Sequence, residues 1–194
     1  MLALVVAFAA ASFTLPTSPG IGALAPDFNL KNVDGKMVQL SGIKDVKGYI
    51  VIFTCNTCPF AKAYESRIIA LHQKYAAQGY PVVAINSNDQ NVQPGDSYDK
   101  MQALAKEKSY PFAYLYDQTQ EVAQAYGALK TPHVYVLDNK RMIRYIGAID
   151  DNSEDAEAVK EKYVENAVDA LLAGKEVAVK ETKAIGCGIK WKKS

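Results

Sequence analysis

Cysteine and histidine, the side chains most often recruited for redox and metal chemistry, are scarce in this 194-residue chain, which has three of the first and two of the second. Three cysteines are too few for a disulfide-stapled scaffold, whose small core needs several bridges. An excess of one charge is also missing: 22 basic residues face 21 acidic ones, for a net charge of +1. That balance excludes the clustered basic face that nucleic acid or an anionic membrane surface would call for. No apolar run reaches the ~20 residues of a membrane span. Low-complexity tracts are absent as well, and a 49% hydrophobic composition fits a folded globular chain rather than a disordered one.

The first twenty residues carry no charge. Their apolar run from Leu2 to Ala11, continued by Phe13, resembles the core of a secretory signal, although no Lys or Arg precedes it. Leu15-Pro16-Thr17-Ser18-Pro19-Gly20 reads as a linker or cleavage region. Residues 1–20 are therefore expected to be a signal or disordered leader, with a structured strand or helix as the alternative, and the protein is expected to be exported, to a bacterial periplasm. Residues 21–194 are expected to form a single domain with a C-terminal extension from about 175.

Within that domain, Phe28 to Leu30 and Met37 to Leu40 flank an Asp34-Gly35 turn and read as a hairpin. Tyr49 to Thr54 is a continuous apolar and β-branched run, the pattern of a central strand covered on both faces. Apolar residues three or four apart predict a helix over 59–78, with Pro59 suited to its first turn. Pro81 to Asn86 reads as a strand, a helix begins near Asp96-Ser97, and Phe112 to Tyr116 reads as a further strand. A helix over 118–126, a hairpin of Val134 to Leu137 with Met142 to Ile146, and a helix over 154–172 complete the pattern. Strands alternating with helices imply a parallel sheet with right-handed crossovers, to which the closing hairpin adds antiparallel strands.

Two of the cysteines, Cys55 and Cys58, are separated by Asn56-Thr57. Such a pair closes a small disulfide ring and moves two electrons as a unit. Its place between a buried strand and a helix sets the sulfurs beside the positive end of the helix dipole, which favours the nucleophilic thiolate. Position along the chain predicts Cys55 as the more exposed, attacking thiol and Cys58 as the more buried, resolving one. Zinc ligation is the competing use of a paired cysteine. It needs two further ligands, for which His72, His133 and Cys187 are the nitrogen and sulfur candidates.

These residues resemble the redoxin branch of the thioredoxin superfamily, which includes alkyl hydroperoxide reductase and thiol-specific antioxidant relatives. The resemblance spans residues 24–150 and rests on four stretches in order: Ala25-Pro26-Asp27-Phe28 with its hairpin, Phe53-Thr54-Cys55-Asn56-Thr57-Cys58-Pro59, Tyr126-Gly127, and Thr131-Pro132 before Val134-Tyr135-Val136. It implies a thioredoxin-like α/β fold, a mixed central sheet flanked by helices with an N-terminal β-hairpin extension. It also implies a cis bond at Thr131-Pro132 that faces the disulfide and offers backbone to a bound chain. Thioredoxins carry Trp before the first cysteine, Gly-Pro between the two and a buried Asp six residues earlier, where this chain has Thr54, Asn56-Thr57 and Tyr49. Glu65 and Lys62 are then the candidates for accepting the Cys58 proton. Peroxiredoxins place Thr three residues before the reactive cysteine, a place that Cys55 holds ahead of Cys58.

The resemblance implies thiol-disulfide exchange with protein or small-molecule thiol partners. The redox group is the Cys55–Cys58 disulfide, no cofactor or resident metal is called for, and no oligomeric state follows. Thr131 and Pro132 are expected at the substrate, with Thr54, Pro59, Cys187 and His133 as auxiliary residues. Cys187, between Gly186 and Gly188, reads foremost as a small buried hydrophobe and secondarily as an additional resolving thiol. His133 reads first as a strand-layer residue and His72 as structural or solvent-facing. The rival functions are thiol-dependent peroxide reduction and a copper-binding assembly module using both sulfurs and His133.

Overall fold

The computed structural model describes residues 18–193; the leader expected over residues 1–20 lies almost wholly outside them. The Asp34-Gly35 turn closes a hairpin of β1 (Asn29–Asn32) and β2 (Met37–Gln39), with Asp34 Oδ1 accepting the Lys36 N–H. The apolar run then forms β3 (Gly48–Phe53), every residue of which is buried. Behind it come α1 (Pro59–Tyr75), β4 (Val82–Asn86), α2 (Tyr98–Glu107), β5 (Ala113–Tyr116) and α3 (Glu121–Tyr126). The chain finishes with β6 (Lys130–Thr131), β7 (His133–Asp138), β8 (Ile143–Gly147), α4 (Tyr163–Leu172) and β9 (Cys187–Gly188).

Seven strands form one sheet in the order β2-β1-β5-β4-β3-β7-β8. The β3–β4 and β4–β5 pairs are parallel; β7 and β8 extend one side antiparallel, and the β1–β2 hairpin extends the other. Alternation along β3 divides the core. Ile50 and Ile52 face α1, α2 and α4 through Tyr64, Ile68, Met101 and Val168. Tyr49, Val51 and Phe53 face the opposite layer, where Phe28, Leu40, Ala123 and Tyr126 cover them. Helices on both faces make the mixed three-layer arrangement read from the strand-helix alternation.

One helix is shorter than its periodicity predicts. Residues 154–162 are bends, a turn and irregular backbone, and α4 begins only at Tyr163. Side chains there satisfy the backbone locally: Asn152 Oδ1 accepts the N–H groups of Glu154 and Asp155, Asp155 Oδ1 that of Glu157, and Asp151 Oδ1 that of Lys160. Short Asn and Asp side chains compete with helical hydrogen bonds in this way. The expected start at Asp96-Ser97 also shifts in meaning, since Asp96 belongs to a short 3₁₀ turn and Ser97 makes no side-chain cap.

Beyond α4 the chain turns back along the domain. Thr182 bridges Tyr145 and Ala148 near the end of β8. The segment then reaches β6, with Lys130 opposite Gly188 and Thr131 opposite Cys187. No helix among the described residues is long and apolar enough to cross a membrane.

Candidate active site

β3 ends at Phe53, and the Thr54 N–H bonds Ile85 O at 2.8 Å, so the strand's hydrogen bonding continues up to the cysteine. Cys58 is the N-cap of α1 with Pro59 directly after it, and its carbonyl accepts the Lys62 N–H at 3.0 Å. One cysteine therefore terminates a rigid strand and the other begins a rigid helix.

The two residues between them are held from below by Asp96, which is fully buried. Its carboxylate accepts the Asn56 N–H at 2.7 Å, the Thr57 hydroxyl at 2.8 Å and Asn88 Nδ2 at 2.7 Å. Asn56 in turn accepts from Tyr114 Oη at 2.8 Å and donates to Gly95 O at 2.9 Å. A side chain at position 95 would sit 2.5 Å from the Thr57 methyl, so the glycine lets this loop close on the motif. Thioredoxin's buried acid six residues before the first cysteine is Tyr49 here, and the buried acid beside this motif comes instead from the β4–α2 loop.

Thr131 faces both sulfurs across a cis bond to Pro132. In the dithiol, Cys55 Sγ donates to the Thr131 hydroxyl at 3.4 Å and Cys58 Sγ to the Thr131 carbonyl at 3.2 Å. Cys187 packs against the same pair, together with Phe60 and Ala61. It lies opposite Thr131 on β9, and its thiol is among the groups that lower the Cys58 pKa. Cys187, read foremost as a small buried hydrophobe, is half-buried and packs on the cysteine pair as a partly covered apolar residue.

Exposure does not separate Cys55 from Cys58 as the chain order predicts, because both are enclosed, at 6% and 4%. Thr131, Phe60 and the β9 segment close over them. Electrostatics does separate them. Cys58 is held below the ordinary thiol range first by the Cys55 S–H, then by the Cys187 thiol and the Ala61 and Cys187 N–H groups. The same Cys55–Cys58 contact pushes Cys55 up, reinforced by burial and by the nearby Asp96 carboxylate. Burial, and then the neighbouring Cys58, push the Cys187 thiol up.

The remaining expected residues divide. Glu65 shares with Thr54 and Cys55 a cleft of about 10 Å³ and accepts from Tyr110 Oη at 2.9 Å, whereas Lys62 is exposed. His133 does not join the sulfurs: its ring lies 4.9 Å from that of Tyr135, and its Nδ1 accepts the Leu129 N–H at 3.5 Å. Burial holds it neutral, with a pKa lowered to about 4. His72 is structural, its Nδ1 accepting the Val82 N–H at 3.2 Å. Among the described residues no cluster of His, Cys, Asp and Glu is arranged to hold a metal. Arg67, Arg141 and Arg144 pair with Asp150, Asp27 and Asp138, away from the sulfurs.

A model of the AhpC/TSA family matches residues 21–146. The chain belongs to the AhpC/TSA family. A crystal structure of an uncharacterized conserved protein from Geobacillus kaustophilus is 43% identical, with a TM-score of 0.85 over 90% of this chain and 93% of that one. A chloroplastic peroxiredoxin Q of Triticum aestivum is 28% identical over 64% of this chain and 57% of its own length. The thiol-disulfide oxidoreductase ResA of Geobacillus thermodenitrificans is 24% identical over 69% of this chain and 72% of its own. This AhpC/TSA chain thus spans less than two thirds of the wheat peroxiredoxin. The thioredoxin fold is shared with a thiol:disulfide interchange protein of Chlorobium tepidum, 21% identical, with a TM-score of 0.54 over 68% of this chain and 87% of that one.

Proposed function

We propose that the protein is a thiol-disulfide oxidoreductase that cycles Cys55 and Cys58 between dithiol and disulfide against protein or small-molecule thiol partners. The observation that carries this reading is the contact of both sulfurs with one residue, Thr131, at 3.4 and 3.2 Å. A strand end and a helix start hold the thiols there in one network. Oxidation removes two protons and two electrons and joins the sulfurs, while a partner disulfide is reduced to two thiols. The pair is itself the redox group, so the reaction draws on no organic cofactor. Catalysed reduction of a disulfide such as oxidised glutathione should vanish in Cys58→Ala and fall steeply in Cys55→Ala. Undiminished turnover in either variant would overturn the proposal.

A second reading, peroxide reduction, is supported by the stabilised thiolate at Cys58 and by the peroxiredoxin Q relatives. Cys58 thiolate would take one oxygen from hydrogen peroxide, and Cys55 would then displace hydroxide to form the bridge. Substrate-dependent consumption of hydrogen peroxide in the presence of a dithiol tests it. An exported location is proposed from the uncharged apolar stretch between Leu2 and Ala11. N-terminal sequencing of the secreted or periplasmic fraction would reveal removal of that stretch.

A further inference from the structure

The edge that the superfamily resemblance assigns to a bound partner chain is already taken. Thr131 pairs with Cys187 and Lys130 with Gly188. The segment carrying them is anchored on both sides. Ile189 is buried in the core and donates its N–H to Leu129 O at 3.2 Å, and Lys190 bonds Asn88, Asp89 and Gln120. Close approach depends on Gly186, where a Cβ would lie 2.2 Å from Thr131 O. β9 thus lies where an extended substrate would add a strand, and it brings a thiol to the place of the substrate's own sulfur. Of the three thiols this is the least enclosed.

We propose that Cys187 is a third catalytic thiol, which exchanges with the Cys55–Cys58 disulfide and passes the oxidising equivalent to external thiols at the surface. The proposal rests on the exchange function above and specifies its route. Cys187 thiolate attacks Cys58 Sγ, the Cys58–Cys187 bond forms, the Cys55–Cys58 bond breaks, and Cys55 leaves with the electron pair. Cys55 then takes up the proton that Cys187 gave away, beside the Thr131 hydroxyl. An external thiolate next attacks Cys187 Sγ and expels Cys58, which its surroundings hold as thiolate. A second external thiolate attacks the mixed disulfide, releasing Cys187 and an oxidised partner. Two external thiols have been oxidised and one protein disulfide reduced, so electrons balance without a further reagent.

Full-length Cys55→Ser treated with oxidised glutathione tests the new bond directly. An internal Cys58–Cys187 disulfide is expected, seen as the loss of two hydrogens and as one linked peptide pair after digestion. Separate glutathione adducts on Cys58 and Cys187 with no internal bridge would overturn it. The Cys187→Ser chain supplies the second arm: its Cys55–Cys58 bridge should form as in the unaltered protein, yet be reduced by glutathione about tenfold more slowly. Equal reduction rates would sink the relay while leaving the exchange function intact. Failure of the Cys55–Cys58 bridge to form in that variant would count against both.

Discussion

Thr131 touches Cys55 with its hydroxyl and Cys58 with its carbonyl, at 3.4 and 3.2 Å, and so treats the two sulfurs differently. The hydroxyl can donate or accept and suits either charge state of Cys55. The carbonyl only accepts. It holds Cys58 as a donor in the full dithiol, and the N–H groups of Ala61 and Cys187 with the neighbouring thiols take over once the proton is lost.

The first prediction concerns that charge. Cys58 should react with iodoacetamide at pH values where an ordinary thiol, with a pKa near ~8.5, is still protonated. Cys55→Ala removes the leading donor and should move the midpoint of the pH-rate profile upward; Cys187→Ala should do the same to a smaller extent. A midpoint that stays put in Cys55→Ala would show that this contact does not hold the thiolate.

Asp96 gives a prediction about stability. Asp96→Ala would strip the Asn56 N–H, the Thr57 hydroxyl and the Asn88 amide of their acceptor inside the protein. Leaving a buried donor without its partner costs about 1–3 kcal/mol for each. Urea unfolding should register a loss of that order, and one below about 1 kcal/mol would mean that water satisfies those donors unaided.

The motif and its flanks were legible because they are contiguous. Five apolar residues and a threonine, a cysteine pair and an amphipathic helix follow one another, and strand and helix periods differ enough to be told apart. Asp96 escaped because an Asp before a helical pattern looks like a cap, and only the fold brings it under a loop forty residues earlier in the chain. Cys187 was named only as an auxiliary residue for the same reason. Its one local signal was Gly186-Cys187-Gly188, glycines that permit close approach without naming what is approached. The helix read over 154–162 failed because helical spacing in that stretch is outcompeted by Asn152, Asp151 and Asp155.

Gly186 is accordingly predicted to control the third thiol. Gly186→Ala puts a methyl carbon where Thr131 O is 2.2 Å away, so β9 must move from β6. Cys187 should become alkylated faster in the folded protein, and the Ile189 amide should exchange faster with solvent. Protection of Ile189 equal to that in the unaltered chain would show that the segment is not held through this contact.

His133 predicts a pH dependence. Its pKa is about 4 in the folded chain and near 6.5 when unfolded, so between those values the unfolded state binds more protons and stability falls as pH falls. The full effect is about 3 kcal/mol, complete near pH 4 and absent above about pH 7. His133→Gln should flatten the urea midpoint over that window, and an unchanged slope would place the acid sensitivity elsewhere.

The central claim, that Cys55 and Cys58 are one two-electron centre, is tested most directly by equilibrating the full chain against reduced and oxidised glutathione, quenching with acid, and mapping the bridges by mass spectrometry. The account predicts one transition with a two-electron slope, Cys58 present in every bridged species and Cys55 as its partner. A chain that acquires glutathione at single cysteines without closing that bridge, or keeps all its thiols free across the range, would contradict it.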